Sequence, residues 1–575
     1  MPAPLSVDFR SVTRFFAAVF GALGAFLLVP EGALAGGEDL SARSRKVSSD
    51  LGDMLAGAGG SDLISVIVMG DGTSVEPVRD RVLRRGGAIR RELPLIGGVS
   101  AVLSASIITD LSADPHVRRI VPDRPVFTAF MMGSSADART ASGSWQGPGA
   151  LGPTGTGVGV AVIDSGIYPH EAFEPDRIRA WVDFINPERA ITKQTADPLG
   201  HGTHVAGIIT GSGAAADGYR GGMAPGAHLI SLRVLDHQGR GDSSDVIAAL
   251  EWCIRHKDEQ NLRVVNLSLG QAVAEPASTD PLALAVARAW DAGLVVVVSA
   301  GNAGEIGSGY GTVSSPGIAP VALTVGALDD RDTADRRDDD ATAFSSRGPA
   351  RFDMTVKPDV LAQGARVVSL RAPHSTLDRD HPEARVAAGS GPAAGSGYFK
   401  LSGTSMAAAQ VSGAAALMLE ADPALRPDDV KARLMSSSHR IAGRDIFTRG
   451  AGALDLQAAL SATGHAADST SPGSRAVDGE VLLEETGPAW GDAQAWSLEA
   501  LYGDSALWGE EAPLTVDFYD DPCMTGDGLV WQNGLVWQNG LVWQNGLVWQ
   551  NGLVWQNGLV WQNGLIWQNG LVWQN

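Results

Sequence analysis

Short apolar runs alternate with helical segments along residues 158–460. Runs that are apolar at every position are typical of strands in a parallel sheet, because helices cover both faces of such a sheet. Right-handed crossovers then bring the carboxyl ends of the strands to one edge, where reactive groups collect. We therefore predict an α/β domain with strands at Val158–Ile163, Leu229–Val234, Val264–Leu269, Leu294–Ala300 and Ala322–Val325, and with helices that include Ser244–His256 and Pro281–Ala292.

A second, smaller pattern covers residues 64–126. Its order, β-α-β-β-α-β, is that of a small α+β domain of the split βαβ type. The polar residues 36–63 before it are predicted to be a linker, and the Gly-, Ser- and Pro-rich residues 127–157 after it are predicted to be a linker at a domain boundary. The predicted elements are Ile64–Met69, Glu76–Arg85, Ala88–Leu93, Val99–Leu103, Ile107–Ala113 and Val117–Val121.

Residues 1–35 have the features of a signal peptide. Arg10 and Arg14 precede a 15-residue apolar run, Phe15–Val29, and small residues at Ala33 and Ala35 offer a cleavage site. The apolar run is short for a bilayer span, which disfavours a retained anchor. We expect a secreted protein, either extracellular or at the cell surface.

Composition and charge exclude several classes of protein. The chain has 575 residues, 44% of them hydrophobic, so most of it is expected to fold around sizeable cores. Two cysteines, Cys253 and Cys523, are too few for a disulfide framework. The formal net charge is −21, and residues 461–527 are predicted to form an acidic linker in which Arg475 is the only Lys or Arg. Nucleic acid is not expected as a partner, because its phosphates require clustered basic residues.

The tail, residues 528–575, consists of eight copies of the hexapeptide Gly-Leu-Val-Trp-Gln-Asn, with one Leu-Ile variant. Strand-favouring residues followed by Asn-Gly are typical of hairpins, whereas one hexapeptide per side would build a solenoid. We predict β structure of either kind. The alternative is an aggregation-prone, low-complexity tail. Such a tail would serve attachment to a cell surface or self-association.

Two Gly-bounded motifs carry an acid and a base. Asp164 ends a predicted strand and is followed by Ser165-Gly166, which is either a simple Asx turn or a carboxylate placed to orient an imidazole. His201 and His204 are spaced for one helix face and are either metal ligands or a general base with a structural neighbour. The Glu of an H-E-x-x-H helix is missing, which favours His201 as the base and His204 as the neighbour.

Ser405 lies in a third motif, Gly403-Thr404-Ser405-Met406, which opens a helix of small residues. One interpretation is a buried helix packed tightly against the sheet. The other places the serine at the positive end of a helix, where backbone N–H groups stabilise developing negative charge.

The three motifs occur in the order Asp, His, Ser, and together they resemble those of the subtilisin-like serine proteases over roughly residues 60–460. Further segments agree with this resemblance. Ser299–Asn302 resembles the segment with the family's oxyanion asparagine, Phe344–Pro349 and Lys357–Val360 resemble family loops, and residues 64–126 resemble the inhibitory propeptide.

The resemblance implies a mechanism and a fold. Ser405 would be the nucleophile, His201 the general base and acid, and Asp164 the residue that orients the imidazole. Asn302 would bind the oxyanion. The resemblance also implies a subtilisin-like α/β domain at 158–460, a propeptide at 64–126 that inhibits the enzyme until self-cleavage between about residues 125 and 133, and polypeptide substrates.

The resemblance also assigns substrate-binding segments. Gly239 and Gly241 on one side, and Ser268, Leu269 and Gly270 on the other, resemble the two edges that hold an extended peptide. Ser314 lies in the segment that resembles the floor of the first specificity pocket. That segment, residues 312–317, has no acidic residue, so we expect a neutral or apolar preference.

No cofactor is required for this chemistry. Residues 329–340 contain seven Asp and three Arg, and they are either a structural calcium site or, as the arginines favour, a solvated charged loop. Two other functions stay open at this point. One is a surface-display or adhesive protein with a vestigial protease domain, and the other is a metallohydrolase.

Overall fold

The computed structural model describes residues 46–130 and 152–463, with gaps at 73, 129, 189–190, 193–195, 213–220, 334 and 387–396. Five short strands are also described between residues 474 and 573. The predicted signal peptide and most of the repeat tail lie outside the described residues. No helix in the described part of the chain is long and apolar enough for a transmembrane span.

Residues 47–128, here called the N-terminal module, contain the predicted split βαβ arrangement. Four antiparallel strands lie in the order β2-β3-β1-β4. A separate apolar core fills this module and includes Leu51, Val66 and Ile120. The elements of the module are α1 (Ser49–Gly57), β1 (Leu63–Gly70), α2 (Glu76–Arg84), β2 (Ala88–Leu93), β3 (Gly98–Ser104), α3 (Ala105–Ser112), β4 (Val117–Pro122) and β5 (Pro125–Thr128).

The predicted boundaries of this module were wrong at both ends. The predicted linker 36–63 contains helix α1, which buries Leu51 in the core of the module. At the other end, β5 crosses the predicted boundary at residue 126 and leaves the module to pair with strands of the main domain. Both segments are held by contacts with residues distant in sequence, which the local pattern of apolar and polar residues does not reveal.

The main domain contains the predicted α/β pattern. Its elements are β6 (Gly159–Asp164), β7 (Ile178–Asp183), α4 (His201–Thr210), β8 (His228–Arg233), β9 (Arg240–Asp242), α5 (Ser243–His256), β10 (Leu262–Leu267), β11 (Leu269–Gly270), α6 (Pro281–Asp291), β12 (Val295–Ser299), β13 (Leu323–Asp329), β14 (Asp340–Ala341), β15 (Val360–Gln363), β16 (Val367–Leu370), α7 (Thr376–Asp380), β17 (Arg385–Val386), β18 (Tyr398–Leu401), α8 (Thr404–Ala421), α9 (Pro427–Ser437), α10 (Ile446–Arg449) and α11 (Leu456–Ser461).

An eight-stranded sheet organises the main domain. Its order is β14-β13-β12-β10-β6-β8-β7, with β15 beside β13, and all neighbours are parallel except β13 and β14. Every residue of β12 is buried, so helices and loops cover both faces of the sheet there. The predicted parallel sheet is therefore confirmed, with one antiparallel edge strand in addition.

Helix α8 packs directly on the centre of this sheet, against β10, β12 and β13. Small side chains permit this close packing. At Gly413, for example, an added Cβ would lie 2.4 Å from the Cβ of Met223. The first residue of the helix, Thr404, lies at the carboxyl edge of the sheet, where its Oγ1 accepts a hydrogen bond from the N–H of Gly301, two residues after β12. The positive end of the helix is therefore beside the ends of the strands.

The predicted acidic linker 461–527 also contains β structure. Strands β19 (Ser474–Val477), β20 (Glu480–Leu483) and β21 (Ala495–Ser497) form an antiparallel sheet. In the repeat tail, β22 (Trp567–Gln568) pairs antiparallel with β23 (Val572–Trp573). For the other repeats, the predicted β structure stays a prediction.

Candidate active site

Asp164 and His201 form a buried pair at the carboxyl edge of the sheet. Asp164 ends β6 and His201 begins α4. The imidazole Nδ1 lies 2.8 Å from Asp164 Oδ1 and 3.0 Å from Oδ2, and both side chains are fully buried. Because a carboxylate can only accept, Nδ1 carries the proton and Nε2 is an acceptor in the neutral ring. Nε2 is buried and has no hydrogen-bond partner in the described structure.

The strand end and the helix start touch because both motifs contain glycine. A Cβ on Gly202 would lie 2.1 Å from the carbonyl oxygen of Gly166 and 3.3 Å from Asp164 Cβ. Any larger residue at position 202 would push α4 away from β6. The glycine beside His201 therefore keeps the imidazole within reach of the carboxylate.

Asp197 also holds the end of β6 and the start of α4 together, although no sequence motif pointed to it. Its carboxylate accepts hydrogen bonds from Ser165 Oγ (2.8 Å), from the N–H of Gly200 (2.7 Å), and from both the N–H (2.8 Å) and the Oγ1 (2.5 Å) of Thr203. Burial raises the pKa of Asp197 although these donors oppose the shift. An Asp a few residues before a predicted helix start was the available signal.

His204 has a structural role. Its Nε2 lies 3.1 Å from the carbonyl oxygens of Val367 and Phe399, so Nε2 carries the proton. Burial, with a smaller effect of His201, lowers the pKa of His204 to about 3, and the ring is neutral at ordinary pH. The prediction of a packed structural neighbour is confirmed.

Ser405 lies in the first turn of α8 and is tied to Ser268. Ser405 Oγ donates to the carbonyl oxygen of Ser268 at 3.2 Å, and Ser268 Oγ donates to the carbonyl oxygen of Ser405 at 3.1 Å. Ser268 follows β10, where Leu267 pairs with Ile163 of the adjacent strand β6. Neighbouring strands lie about 4.8 Å apart, so Ser405 is held beside the strand that ends in Asp164.

The amide of Asn302 is oriented by Thr404, a residue that the sequence analysis did not single out. Asn302 Oδ1 accepts hydrogen bonds from the N–H and the Oγ1 of Thr404, each at 3.0 Å. Thr404 Oγ1 in turn accepts from the N–H of Gly301 at 3.2 Å. These contacts identify the remaining amide atom, Nδ2, as a donor. It is buried and has no hydrogen-bond partner in the described structure.

A strand of the chain itself lies between the two predicted substrate-binding edges. Strand β5 is the middle strand of an antiparallel sheet with β9 on one side and β11 on the other. Val126 pairs with Gly241, Phe127 pairs with Gly270, and the N–H of Thr128 donates to the carbonyl oxygen of Gly239 at 3.2 Å. Two residues further on, the phenyl ring of Phe130 lies beside the imidazole of His201.

The predicted binding residues are therefore brought together, with two different roles. Gly239, Gly241, Leu269 and Gly270 belong to the edges of the cleft. Ser268 instead holds Ser405 through the two hydrogen bonds described above.

The side chain of Ser314 fills part of the space beside Gly270 and Gly301. A Cβ on Gly270 would lie 2.4 Å from Ser314 Oγ, and a Cβ on Gly301 would lie 3.1 Å from it. The hydroxyl also donates to the carbonyl oxygen of Ala300 at 3.3 Å. Ser314 therefore lies between Gly270 and Gly301, and its predicted place in the specificity pocket stays a prediction.

Arginines take up much of the acidic charge of residues 329–340. Asp335 pairs with Arg337, and Asp340 pairs with Arg444 at 2.7 Å. Asp329 pairs with Arg366 at 2.5 Å. Within the described ranges, no three His, Cys, Asp or Glu side chains are grouped as a metal site would require. These ion pairs are those expected of a charged loop, and the calcium alternative stays a prediction.

Comparison with known proteins places this geometry in a family. The subtilase family profile matches residues 155–468. Serine protease AprX of Bacillus subtilis (strain 168) is 41% identical over 309 residues, which are 53% of this chain and 66% of AprX, just under two thirds of its length. Subtilisin E of the same strain is 31% identical over 384 residues, which are 66% of this chain and 85% of that protein.

A solved structure shows the same fold. Fervidolysin from Fervidobacterium pennivorans, described as a keratinolytic enzyme related to subtilisin, superposes with a TM-score of 0.52 at 23% identity. The match covers 70% of this chain and 62% of fervidolysin. The family profile over residues 155–468 and the match to 85% of subtilisin E at 31% identity show that the chain belongs to the subtilase family of serine endopeptidases.

Proposed function

We propose that the chain is a secreted serine endopeptidase that acts through Asp164, His201 and Ser405 and matures by cleaving off its own N-terminal module. The observation that carries the proposal is the buried imidazole of His201, which is bonded to Asp164 through Nδ1 and has an unpartnered Nε2. A buried polar atom without a partner is costly and rare, and it is expected where a substrate or a nucleophile completes the site.

The chemistry proceeds by acyl transfer. Ser405 Oγ attacks the carbonyl carbon of the scissile peptide bond while its proton moves to His201 Nε2. The tetrahedral intermediate collapses, the C–N bond breaks, and the leaving amine takes the proton from Nε2. Water then attacks the acyl carbon while His201 Nε2 takes its proton. The bond between that carbon and Ser405 Oγ breaks, Nε2 returns the proton to Oγ, and the new carboxyl end of the substrate leaves. Asp164 keeps Nδ1 protonated and stabilises the imidazolium in both steps. The proposed chemistry needs only these side chains and backbone N–H donors of the chain itself, and it requires no metal or cofactor.

Asn302 supplies the oxyanion donor in this proposal. Thr404 holds Oδ1, so Nδ2 is free to donate to the oxyanion of the tetrahedral intermediate. The N–H of Ser405, in the first turn of α8, is the second donor. Such donors stabilise the transition state more than the substrate, because the charge develops only there.

The N-terminal module is the inhibitor of its own precursor in this proposal. Strand β5 fills the cleft between β9 and β11 as a substrate would, and Phe130 reaches His201. Cleavage just beyond β5, between residues 129 and 133, would leave the module bound as a product until it dissociates. Export through residues 1–35 fits an enzyme that is inactive until it is processed. The repeat tail would add attachment to a surface or self-association.

Labelling with a fluorophosphonate tests the activated serine. The full-length protein is expressed in a protease-deficient host, and the label, the size and the new N-terminus of the product are determined. We expect labelling at Ser405 and an N-terminus between residues 129 and 133. Ser405→Ala should stay unlabelled and full length, whereas the neighbouring control Ser402→Ala should behave like the parent. A processed product from Ser405→Ala would contradict self-cleavage. Absence of the label from the parent protein would contradict the proposed serine endopeptidase activity.

A further inference from the structure

Arg124 lies immediately before the strand that fills the cleft, and both its backbone and its side chain are bound. Its carbonyl oxygen accepts hydrogen bonds from the N–H and the Oγ of Ser243, each at 2.9 Å. Its guanidinium donates from Nη1 to Glu275 Oε1 at 3.0 Å. The other edge of the guanidinium pairs with Asp50, at 2.8 Å and 3.1 Å. Only 8% of the Arg124 side chain is exposed.

These partners belong to two different parts of the chain. Ser243 and Glu275 are in the main domain, whereas Asp50 leaves with the N-terminal module. Glu275 has a second arginine partner, Arg119, at 2.9 Å, and this residue leaves as well. Only 2% of the Glu275 side chain is exposed, and burial raises its pKa even beside two arginines. After the module departs, the carboxylate of Glu275 has lost both guanidinium groups.

Ser243 is placed to bind the backbone of a peptide in the cleft. It is the first residue of α5, where backbone N–H groups have no partner within the helix. It also follows β9, whose Asp242 pairs with Pro125, so it continues the edge along which the cleft strand lies. A peptide that replaces β5 in the same register therefore presents its next carbonyl oxygen to Ser243 and its next side chain to Glu275.

We propose that Ser243 and Glu275 form an extended substrate subsite, and that it takes an arginine at the residue corresponding to Arg124, four residues before the one corresponding to Thr128. The proposal rests on the endopeptidase function above and adds a substrate preference to it. Arginine is the side chain that reaches Glu275 in this register, where its Nη1 bonds to Oε1, while the edge formed by Nε and Nη2 faces Asp50 in the precursor. Its charge is fixed and its donors are spread over a planar group, which favours arginine over lysine at such a site.

Other charged contacts of the module do not define subsites. Arg90 pairs with Asp242, and Arg91 pairs with Asp245, but both arginines lie on β2. They are distant in sequence from the strand in the cleft. A linear peptide in the cleft cannot bring both β5 and β2 with it, so only the Arg124 position is reproduced by a substrate.

Paired peptide substrates test the subsite. The full-length protein is allowed to mature, and kcat/KM is measured with fluorogenic peptides that carry residues 123–133 of this chain. One peptide keeps arginine at position 124, and a second has citrulline, which is similar in shape but neutral. We expect the arginine peptide to be cleaved about 10- to 100-fold more efficiently, since a hydrogen bond to a charged group contributes on that scale. A third peptide has arginine at position 123 and citrulline at 124. Its kcat/KM should be little higher than that of the citrulline peptide.

A variant assigns the preference to Glu275. Glu275→Gln should reduce the ratio of kcat/KM for the arginine peptide to kcat/KM for the citrulline peptide to about 1. The control Asp245→Asn removes a nearby acid outside the cleft and should keep the ratio. If Glu275→Gln does not mature, the three peptides on the parent enzyme decide by themselves. Equal cleavage of all three would overturn the subsite alone, and cleavage of none would overturn the endopeptidase as well.

Discussion

The phenyl ring of Phe130 lies 5.3 Å, centroid to centroid, from the imidazole of His201, with the two planes inclined by 36°. Phe130 follows the cleft strand by two residues. The chain that follows strand β5 therefore passes through the cleft and reaches His201, the proposed general base. This contact places Phe130, which lies inside the proposed cleavage range, beside the residue that would transfer the protons.

Replacement of Asp164 by asparagine should reduce kcat strongly with little loss of folding. An amide at this position can donate to Nδ1, which favours the tautomer with the proton on Nε2 and removes the acceptor for the serine proton. We expect a decrease of about 10⁴-fold in kcat. Steady-state kinetics and thermal unfolding measure the two effects. Asp183→Asn, at the end of another strand, is the control, because it removes a buried partner of Arg233 and should affect stability instead.

Substitutions of Asn302 and Thr404 should have effects on kcat that are not additive. Asn302→Ala should lower kcat by about 10²- to 10³-fold with little change in KM. Thr404→Val removes the hydroxyl that bonds to Asn302 Oδ1, and it should lower kcat in the same direction but less. The double variant should then be no worse than Asn302→Ala, which a double-mutant cycle measures. Effects that simply add would show that Thr404 does not act through the amide.

Ser314→Gly should widen the space between Gly270 and Gly301. Loss of the hydroxymethyl group leaves room for a larger apolar side chain before the cleaved bond. We expect kcat/KM for such substrates to rise by about tenfold relative to substrates with small side chains. A peptide library reads out the change. The control Ser315→Ala removes a hydroxyl that bonds to Asp280, and it should keep the parent preference. An unchanged profile in Ser314→Gly would exclude this residue from the pocket.

Association of the N-terminal module with the main domain should weaken as pH rises. Burial raises the pKa of Asp245 to about 6, although Arg91 opposes the shift, and burial also raises the pKa of Asp123 and of Glu275. Separation exposes Asp245 and returns its pKa toward about 4. Between these two pKa values the associated state binds more protons than the separated state. Stability of the association is therefore present at low pH and is lost as pH rises through the window.

Size-exclusion chromatography of the processed protein measures this dependence. The cleaved module should co-elute with the main domain at about pH 4.5 and separate from it more readily at about pH 7. Asp245→Asn removes one of the titrating groups and should reduce the difference. Stronger association of the cleaved module with the main domain at the higher pH would contradict this prediction.

The candidate catalytic residues could be predicted because each lies in a short motif at the end of a buried strand or the start of a helix, and because the three motifs together resemble those of a known family. Asp164 and His201 were identified from such local patterns, and the parallel sheet follows from runs such as Val295–Ser299. Asp197 and Thr404 were missed because their roles consist of contacts across the fold. Asp197 bonds to Ser165 and Thr203, and Thr404 bonds to Asn302.

The segments predicted as linkers were missed for a different reason. Helix α1 has Ser and Gly in a short, polar sequence, and Leu51 becomes a core residue only once the module exists. Strand β5 has both of its partners in the main domain. Neither segment forms its contacts with neighbours in sequence, so periodicity within the segment holds too little information.

The middle position of β5 in the cleft sheet has an evolutionary consequence. Residues 125–128 are the first sequence that each newly made copy must accommodate before it meets any other polypeptide. A change in β9 or β11 that favours a different target also alters how well the precursor fits itself. If the module is removed as proposed, mutations that redirect the enzyme require matching changes in residues 125–128, and the sequence of the removed module reflects the substrate preference of the mature protein.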